Sequence, residues 1–161
     1  MLRPYDVTAA VGLVRKVMRN QRILLVEDHP DDAFLTVYSL RKKDFRNVVV
    51  VDEAMKALDY LFSPEETGSG EEKEMPSLII VDLKLPKMDG FDLIRAIKGN
   101  EVTSAIPLAV LSSSFFAREK ERCQELGVGA YFSKPLDVDE FEAFVSHCAV
   151  DNGTGGVYVT S

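Results

Sequence analysis

The chain has 161 residues, the size of one ordinary domain, and 46% of them are hydrophobic, which is enough to form a single core. Its formal net charge of -7 argues against nucleic-acid binding, because contact with phosphates requires a basic surface. The same charge disfavours an anionic membrane surface. The sequence contains no apolar run of about 18 residues and no recognisable secretory signal, so we expect a cytoplasmic protein.

Five strands, each followed by a helix, are predicted along the chain. The strands are apolar or β-branched runs that end at polar residues, namely 22–28, 48–51, 77–82, 107–111 and 130–133. Apolar residues at helical spacing follow each run, and Asp31 or Asp32 is expected to cap the first helix. Strict alternation predicts an α/β fold, a doubly wound parallel sheet of five strands in the flavodoxin-like order 2-1-3-4-5.

Residues 22–150 form the predicted domain. Three segments of the chain do not follow the alternation of strands and helices. Residues 1–21 carry apolar side chains at helical spacing, namely Val7, Val11, Val14 and Met18. They are either a frayed extension or an amphipathic helix that packs on this domain or on a second copy, forming a homodimer. Residues 63–76 are an acidic loop, and the Gly-rich tail 151–161 is predicted to be flexible.

Polar residues at the strand ends are expected to meet at one edge of the sheet. They are Glu27, Asp28, Asp82, Ser112 and Lys134, although Ser112 is one of three consecutive serines, so the register is open by one residue. Ligands bind outside the carboxyl ends of such strands. Three carboxylates in one cleft require a cation, and magnesium suits oxygen ligands beside phosphate groups. A carboxylate nucleophile, a lysine and a hydroxyl then predict phosphoryl transfer.

Four motifs stand in order at these strand ends: LLVED, VDLKLPKMDG, VLSSS and YFSKP. Together they resemble the receiver domain of two-component signalling, a CheY-like fold, over residues 22–148. The resemblance implies that Asp82 is the phosphoacceptor and takes its phosphoryl group from a sensor histidine kinase, a phosphotransfer protein or a small phosphodonor. The cofactor implied is Mg²⁺.

The resemblance also implies a set of ligands for the metal. Asp28 and Asp82 would bind Mg²⁺ directly, Glu27 would act through a water, and the backbone carbonyl of Lys84 would supply a further ligand. Glu27 stands where the family more often has aspartate.

Further residues are implied to act on the phosphoryl group or to respond to it. Lys134, before an expected cis Pro135, would pair with the phosphoryl group. Ser112 would be the switch hydroxyl, and Tyr131 the switch aromatic that turns inward on phosphorylation. From their expected position near the pocket mouth, we also predict that Lys84 and Ser114 tune the access of water and thus the phosphoryl lifetime.

The expected function is that of a single-domain response regulator, which signals through a conformational switch and protein contacts. ALDYLF and LPKMDGFDLI resemble the receivers paired with phytochrome-like histidine kinases. One alternative is a magnesium-dependent phosphatase of the haloacid dehalogenase type, but this would place an acid where Lys84 stands. Another is a binding module, which would require a broken pocket, and no pocket residue is missing. We therefore expect no enzyme, but a phosphoacceptor that assists its own phosphorylation and dephosphorylation.

Overall fold

The computed structural model describes residues 12, 16, 19–63, 74–114 and 116–150 of the chain. Within these residues five β-α units follow one another, as predicted. Their bounds are β1 Ile23–Val26, α1 Pro30–Lys42, β2 Val48–Val51, α2 Ala54–Phe62, β3 Leu78–Val81, α3 Gly90–Lys98, β4 Leu108–Ser112, α4 Ala117–Glu125, β5 Ala130–Ser133 and α5 Val138–Val150.

The five strands form one parallel sheet in the order β2-β1-β3-β4-β5, which confirms the predicted topology. The chain leaves β1 towards β2 on one side and later returns to β3 on the other, so the switch point lies between β1 and β3. In this pairing Val26 lies opposite Val81. The residues that follow them, Glu27 and Asp82, therefore emerge side by side at the carboxyl edge.

Two apolar clusters cover the faces of the sheet. Alternate residues of β1 point to opposite faces, so Leu24 packs with α2, α3 and α4, whereas Leu25 packs with α1 and α5. Both side chains are almost fully buried, and each such leucine contributes about 1.5–3 kcal/mol of burial free energy. Because helices cover both faces, the central strands are continuous apolar runs. Packing on both faces holds the carboxyl ends of these strands rigidly.

The first turn of α1 corrects one prediction. Its N-cap is His29, whose Nδ1 accepts a hydrogen bond from the backbone N–H of Asp32 at 3.4 Å. The expectation that Asp31 or Asp32 caps this helix was therefore wrong. Pro30 occupies the first helical position, where its missing N–H costs nothing and its φ suits the helix, so the cap must precede it.

Gly90 lets α3 begin directly against the turn that follows β3. A Cβ atom at this position would lie 2.6 Å from Cα of Leu83 and 2.7 Å from the carbonyl oxygen of Asp82. Only glycine allows that approach. The side chain of Asp89 caps the helix by accepting from the N–H of Phe91 at 3.1 Å. The turn that carries Asp82 is thus fixed by the start of α3.

Parts of the predicted extension and of the acidic loop, and the whole of the predicted tail, lie outside the described residues. Gly12, Lys16 and Arg19 have helical backbone, and Arg19 donates to Glu142 on α5 at 2.9 Å. The rest of residues 1–18, residues 64–73 of the acidic loop and the tail 151–161 are not described. The predictions made for these segments stay predictions. None of the described helices combines the length and the apolar character needed to span a membrane.

Candidate functional site

Three carboxylates meet at the carboxyl edge of the sheet. Glu27 and Asp28 follow β1, Asp82 follows β3, and one oxygen from each lies within 4.8 Å of the others. Glu27 is 3% exposed and Asp82 is 6% exposed, whereas Asp28 faces solvent. The sheet register places two acids in a buried position beside an exposed one, so the cluster opens to solvent through Asp28.

Lys134 follows β5 and reaches this cluster across β4. Its Nζ donates to Oε1 of Glu27 at 2.6 Å, to Oδ2 of Asp82 at 2.8 Å and to Oδ2 of Asp32 at 3.0 Å. An ammonium group has three donors, and all three are used. The Lys134–Pro135 peptide bond is cis, as predicted.

The electrostatics of this group are dominated by burial and by close charges. Burial and the neighbouring Asp82 together raise the pKa of Glu27 to about 9, although Lys134 opposes the shift. Burial also lowers the pKa of Lys134, but its hydrogen bonds with Asp82 and Glu27 outweigh this, so its pKa lies above the ordinary value. Lys134 is therefore cationic at neutral pH. Among the described residues, Lys134 is the single cation that contacts Glu27 and Asp82, and negative charge remains uncompensated.

Both carboxylate oxygens of Asp82 are held in place. Oδ2 accepts from Lys134, and Oδ1 accepts from the backbone N–H of Lys84 at 3.0 Å. Lys84 lies in the turn between β3 and α3, and its side chain is exposed. The carboxylate is therefore preorganised on a rigid strand end, and the turn that follows it lines the same site.

Ser112, Ser114 and Tyr131 form a second polar group beside Lys134. Ser112 ends β4 and is fully buried, and its Oγ accepts from the N–H of Ser114 at 3.1 Å. The hydroxyl of Tyr131 donates to the carbonyl oxygen of Ser114 at 2.9 Å. Ser113 is exposed, so the strand places Ser112 inward and Ser113 outward. The backbone N–H of Lys134 donates to the carbonyl of Ser112 at 2.8 Å, which joins the two groups.

The donor set fits a hard divalent cation. Oε2 of Glu27 is buried and receives no hydrogen bond from any described residue. A buried carboxylate oxygen without a donor is costly unless a cation or an ordered water satisfies it. The three clustered groups offer only oxygen ligands, which are the ligands of magnesium and related ions.

Asp32 is the site residue that the strand-end argument missed. It lies in the first turn of α1, four residues after Asp28, and its carboxylate contacts Lys134. The sequence did contain a signal for this role, because Asp32 lies about one helical turn after the acidic end of β1. The same residue was, however, explained as a possible helix cap. The contact with Lys134 lowers the pKa of Asp32, which therefore stays ionised.

Comparison with known proteins assigns the chain to a family. The model for the response regulator receiver domain matches residues 23–146. The chain belongs to this receiver domain family. Its phosphoacceptor role in two-component signalling and its fold thus agree with the prediction made from the four motifs.

Individual relatives agree with this assignment. The receiver domain is 32% identical to the probable methanogenesis regulatory protein FilR2 of Methanothrix harundinacea over 124 residues, which are 76% of this chain and 77% of that protein. It also matches two-component response regulators of rice, and there it spans 58% and 49% of the relatives' own lengths.

Solved structures include receivers linked to phytochromes. The bacteriophytochrome response regulator AtBRR superposes with a TM-score of 0.69 at 36% identity, over 81% of this chain and 93% of that one. The Mn²⁺-bound response regulator Rcp1 superposes with a TM-score of 0.62 at 28% identity, over 79% and 90% of the two chains. Receiver domains bind a divalent metal at an acidic pocket, and the acidic cluster of this receiver domain occupies the carboxyl edge of the same fold.

Proposed function

We propose that this receiver domain accepts a phosphoryl group on Asp82 from a sensor histidine kinase or a phosphotransfer protein. The observation that carries the proposal is the position of the Asp82 carboxylate, which lies 2.8 Å from Nζ of Lys134 and within 4.8 Å of the Glu27 and Asp28 carboxylates. Phosphoryl transfer requires a nucleophile beside a fixed cation and a group of carboxylates that can bind a metal ion, and Asp82 has both neighbours.

In the proposed transfer, a carboxylate oxygen of Asp82 attacks the phosphorus of a phosphohistidine. The P–N bond breaks, its electron pair returns to the imidazole nitrogen of the donor, and an acyl phosphate forms on Asp82. Lys134 pairs with one phosphoryl oxygen, and the hydroxyl of Ser112 donates to another. Both groups follow or end strands at the same sheet edge as Asp82.

The proposed metal is Mg²⁺. Asp28 and Asp82 would hold it directly, Glu27 through a water, and the backbone carbonyl of Lys84 as a further ligand. The oxygen-only donors and the buried, unpartnered Oε2 of Glu27 support this assignment. Bound Mg²⁺ would neutralise the charge that develops on the phosphoryl oxygens.

The proposed switch couples Ser112 to Tyr131. Ser112 turns its hydroxyl towards the phosphoryl group, and the Tyr131 ring responds, shifting the population between two packings of the surface formed by α4, β5 and α5. The hydrogen bond from Tyr131 to the Ser114 carbonyl supports the coupling, because Ser114 also donates to Ser112. Ring signals of Tyr131 are expected to change when beryllofluoride, a phosphoryl mimic, is added. Unchanged signals would refute the coupling.

The receiver domain is proposed to assist its own phosphorylation and dephosphorylation without turning over a substrate as an enzyme. Lys84 and Ser114 flank the pocket and are proposed to tune access of water to the acyl phosphate. Timing phosphate loss from Lys84→Ala and Ser114→Ala checks this role, and rates equal to that of the parent would contradict it.

The proposed partner is a phytochrome-like histidine kinase. The similarity to AtBRR, a bacteriophytochrome response regulator, supports it. We also propose that residues 22–150 are the receiver domain and that residues 1–21 pack on it or on a second copy as a homodimer. The ion pair between Arg19 and Glu142 supports packing of the end of the extension on α5.

The experiment that tests the proposed function is intact mass after incubation with acetyl phosphate and Mg²⁺. The parent is expected to gain one phosphoryl group, and Asp82→Asn is expected to gain none. Equal labelling of both proteins would place the phosphoryl group elsewhere. Sustained hydrolysis of phosphomonoesters would instead favour the phosphatase, and failure of the parent to take up phosphate from acetyl phosphate and from a histidine kinase would favour a binding module.

A further inference from the structure

Asp32 contacts the lysine of the site from outside the sheet. Its Oδ2 accepts from Nζ of Lys134 at 3.0 Å, although Asp32 belongs to α1 and the other two acceptors follow β1 and β3. Its side chain is 38% exposed, whereas that of Lys134 is 14% exposed. The contact therefore closes the outer side of an otherwise buried ammonium group.

The three acceptors of Lys134 differ in what phosphorylation does to them. Asp82 would carry the phosphoryl group, so its oxygen ceases to be a free carboxylate acceptor. Glu27 belongs to the cluster of three carboxylates that could bind a metal ion, whereas Asp32 does not. Asp32 is thus the acceptor whose charge and contact with Lys134 the proposed transfer would leave unchanged.

The lysine needs such an anchor because it has room to move. A cavity of about 330 Å³ adjoins Lys134 on the α1 side and is lined in part by Asp32, Leu35, Thr36 and Leu136. A long flexible side chain that loses one of its acceptors can populate other rotamers in this space. Asp32 borders both the cavity and the ammonium group, so it restricts that freedom.

We infer that Asp32 is a positioning residue that holds the ammonium group of Lys134 at the phosphoryl site. The inference rests on the proposed function and names a residue that acts through Lys134 without touching the transferred group. The inference predicts that removing the Asp32 carboxylate weakens binding of the phosphoryl group, which is opposite to the effect expected from charge alone. Deleting a carboxylate beside an anion site would by charge alone favour the anion, whereas loss of the anchor disfavours it.

The test compares Asp32→Asn with Asp31→Asn, in the full chain with saturating Mg²⁺. Asp31 is exposed and adjacent, so the second variant removes the same charge without a described contact to Lys134. We expect Asp32→Asn to weaken the apparent affinity for beryllofluoride and to slow labelling by acetyl phosphate, each by about three- to tenfold, because the lost hydrogen bond is partly exposed and therefore screened. Asp31→Asn is expected to match the parent or to bind slightly tighter. Asp32→Glu, which keeps the carboxylate, is expected to restore most of the affinity.

A second readout follows the lysine itself. The ammonium protons of Lys134, assigned by their loss in Lys134→Met, are expected to exchange faster with water in Asp32→Asn than in the parent. Equal exchange rates and equal beryllofluoride affinity for the Asp31 and Asp32 variants would overturn the inference while leaving phosphoacceptance intact. Failure of the parent to bind beryllofluoride would instead count against the proposed function, so the two failures are distinguishable.

Discussion

Nζ of Lys134 lies 2.8 Å from Oδ2 of Asp82, although the two residues are 52 positions apart and a whole strand, β4, separates their strands. The contact exists because the parallel strands end at one edge and the lysine side chain is long enough to cross the intervening strand. It joins the proposed nucleophile to the only cation that contacts it among the described residues. The chemistry of the site depends on this contact.

Lys134→Met is expected to slow phosphorylation by acetyl phosphate at least about tenfold, because a preorganised donor to the phosphoryl oxygens is lost. The variant also leaves two buried carboxylates without their cation, so the free energy of unfolding without Mg²⁺ is expected to fall by about 1–3 kcal/mol. Labelling rates and urea titrations measure the two effects. Lys56→Met is the control, since Lys56 is an exposed lysine of α2 whose ion pair is with Asp52. Equal rates in the two variants would exclude a role for the Lys134 ammonium group.

Strand ends were predictable from the sequence, and so were most of the residues of the site. A buried parallel strand is a continuous apolar run, so its first polar residue marks the carboxyl edge. This rule leads directly to Glu27 and Asp82, and at the end of β5 it leads to within one residue of Lys134. The same rule points to Ser112, but three serines follow one another, so the sequence left the register open by one residue. The structure separates them by burial, with Ser112 inward and Ser113 outward.

Asp32 and the cap of α1 were not predictable in the same way. Helical periodicity shows which residues of α1 face the core, but it does not show how far the first turn tilts over the sheet edge. Asp32 is partly buried on that turn, and a capping role accounts equally well for an acid there. Only the packing of α1 on the sheet, with Pro30 at the start, decides that His29 caps the helix and Asp32 meets Lys134.

Asp28→Asn is expected to lose most of the stabilisation by Mg²⁺ without loss of stability in its absence. Asp28 is exposed, and its main proposed task is to hold the metal, so the fold does not depend on it. At a concentration of about 100 times Kd, a ligand stabilises a protein by about 2.7 kcal/mol. The Tm of the parent should therefore rise with Mg²⁺, and that of Asp28→Asn should rise much less. The matched control is Asp31→Asn, and a rise in Tm of Asp28→Asn equal to that of the control would remove Asp28 from the ligand set.

Gly90→Ala is expected to destabilise the receiver domain by about 1–3 kcal/mol, because the added methyl group overpacks a rigid backbone contact. Its Cβ would meet Cα of Leu83 at 2.6 Å and the Asp82 carbonyl at 2.7 Å, and neither backbone atom can give way alone. Since the turn carries Asp82, labelling by acetyl phosphate is expected to slow as well. Gly12→Ala is the control, because a Cβ there meets no atom of the described part of the chain within 4 Å. Urea titrations in which both alanine variants match the parent would show that the turn adapts freely.

Tyr131→Phe tests the hydrogen bond between Tyr131 and Ser114 within the second polar group of the site. The variant keeps the ring in the apolar cluster and removes only the hydroxyl that donates to the Ser114 carbonyl at 2.9 Å. We expect the free energy of unfolding to fall by about 0.5–1.5 kcal/mol, the usual net contribution of one such hydrogen bond. Burial raises the pKa of Tyr131, so the hydroxyl stays protonated and remains a donor at neutral pH.

The control for Tyr131→Phe is Tyr38→Phe, because Tyr38 is an exposed tyrosine of α1. Urea titrations compare the stabilities of the two variants. Backbone amide signals then show whether the hydrogen bond carries the switch. In the parent, beryllofluoride is expected to shift the amide signals of Ser114 and of α4 together, since the carbonyl of Ser114 holds the ring and its N–H holds Ser112. In Tyr131→Phe the shift at Ser114 should persist while that in α4 shrinks, because the hydroxyl no longer couples them. An α4 response equal to that of the parent would mean that the ring alone, without its hydrogen bond, transmits the change.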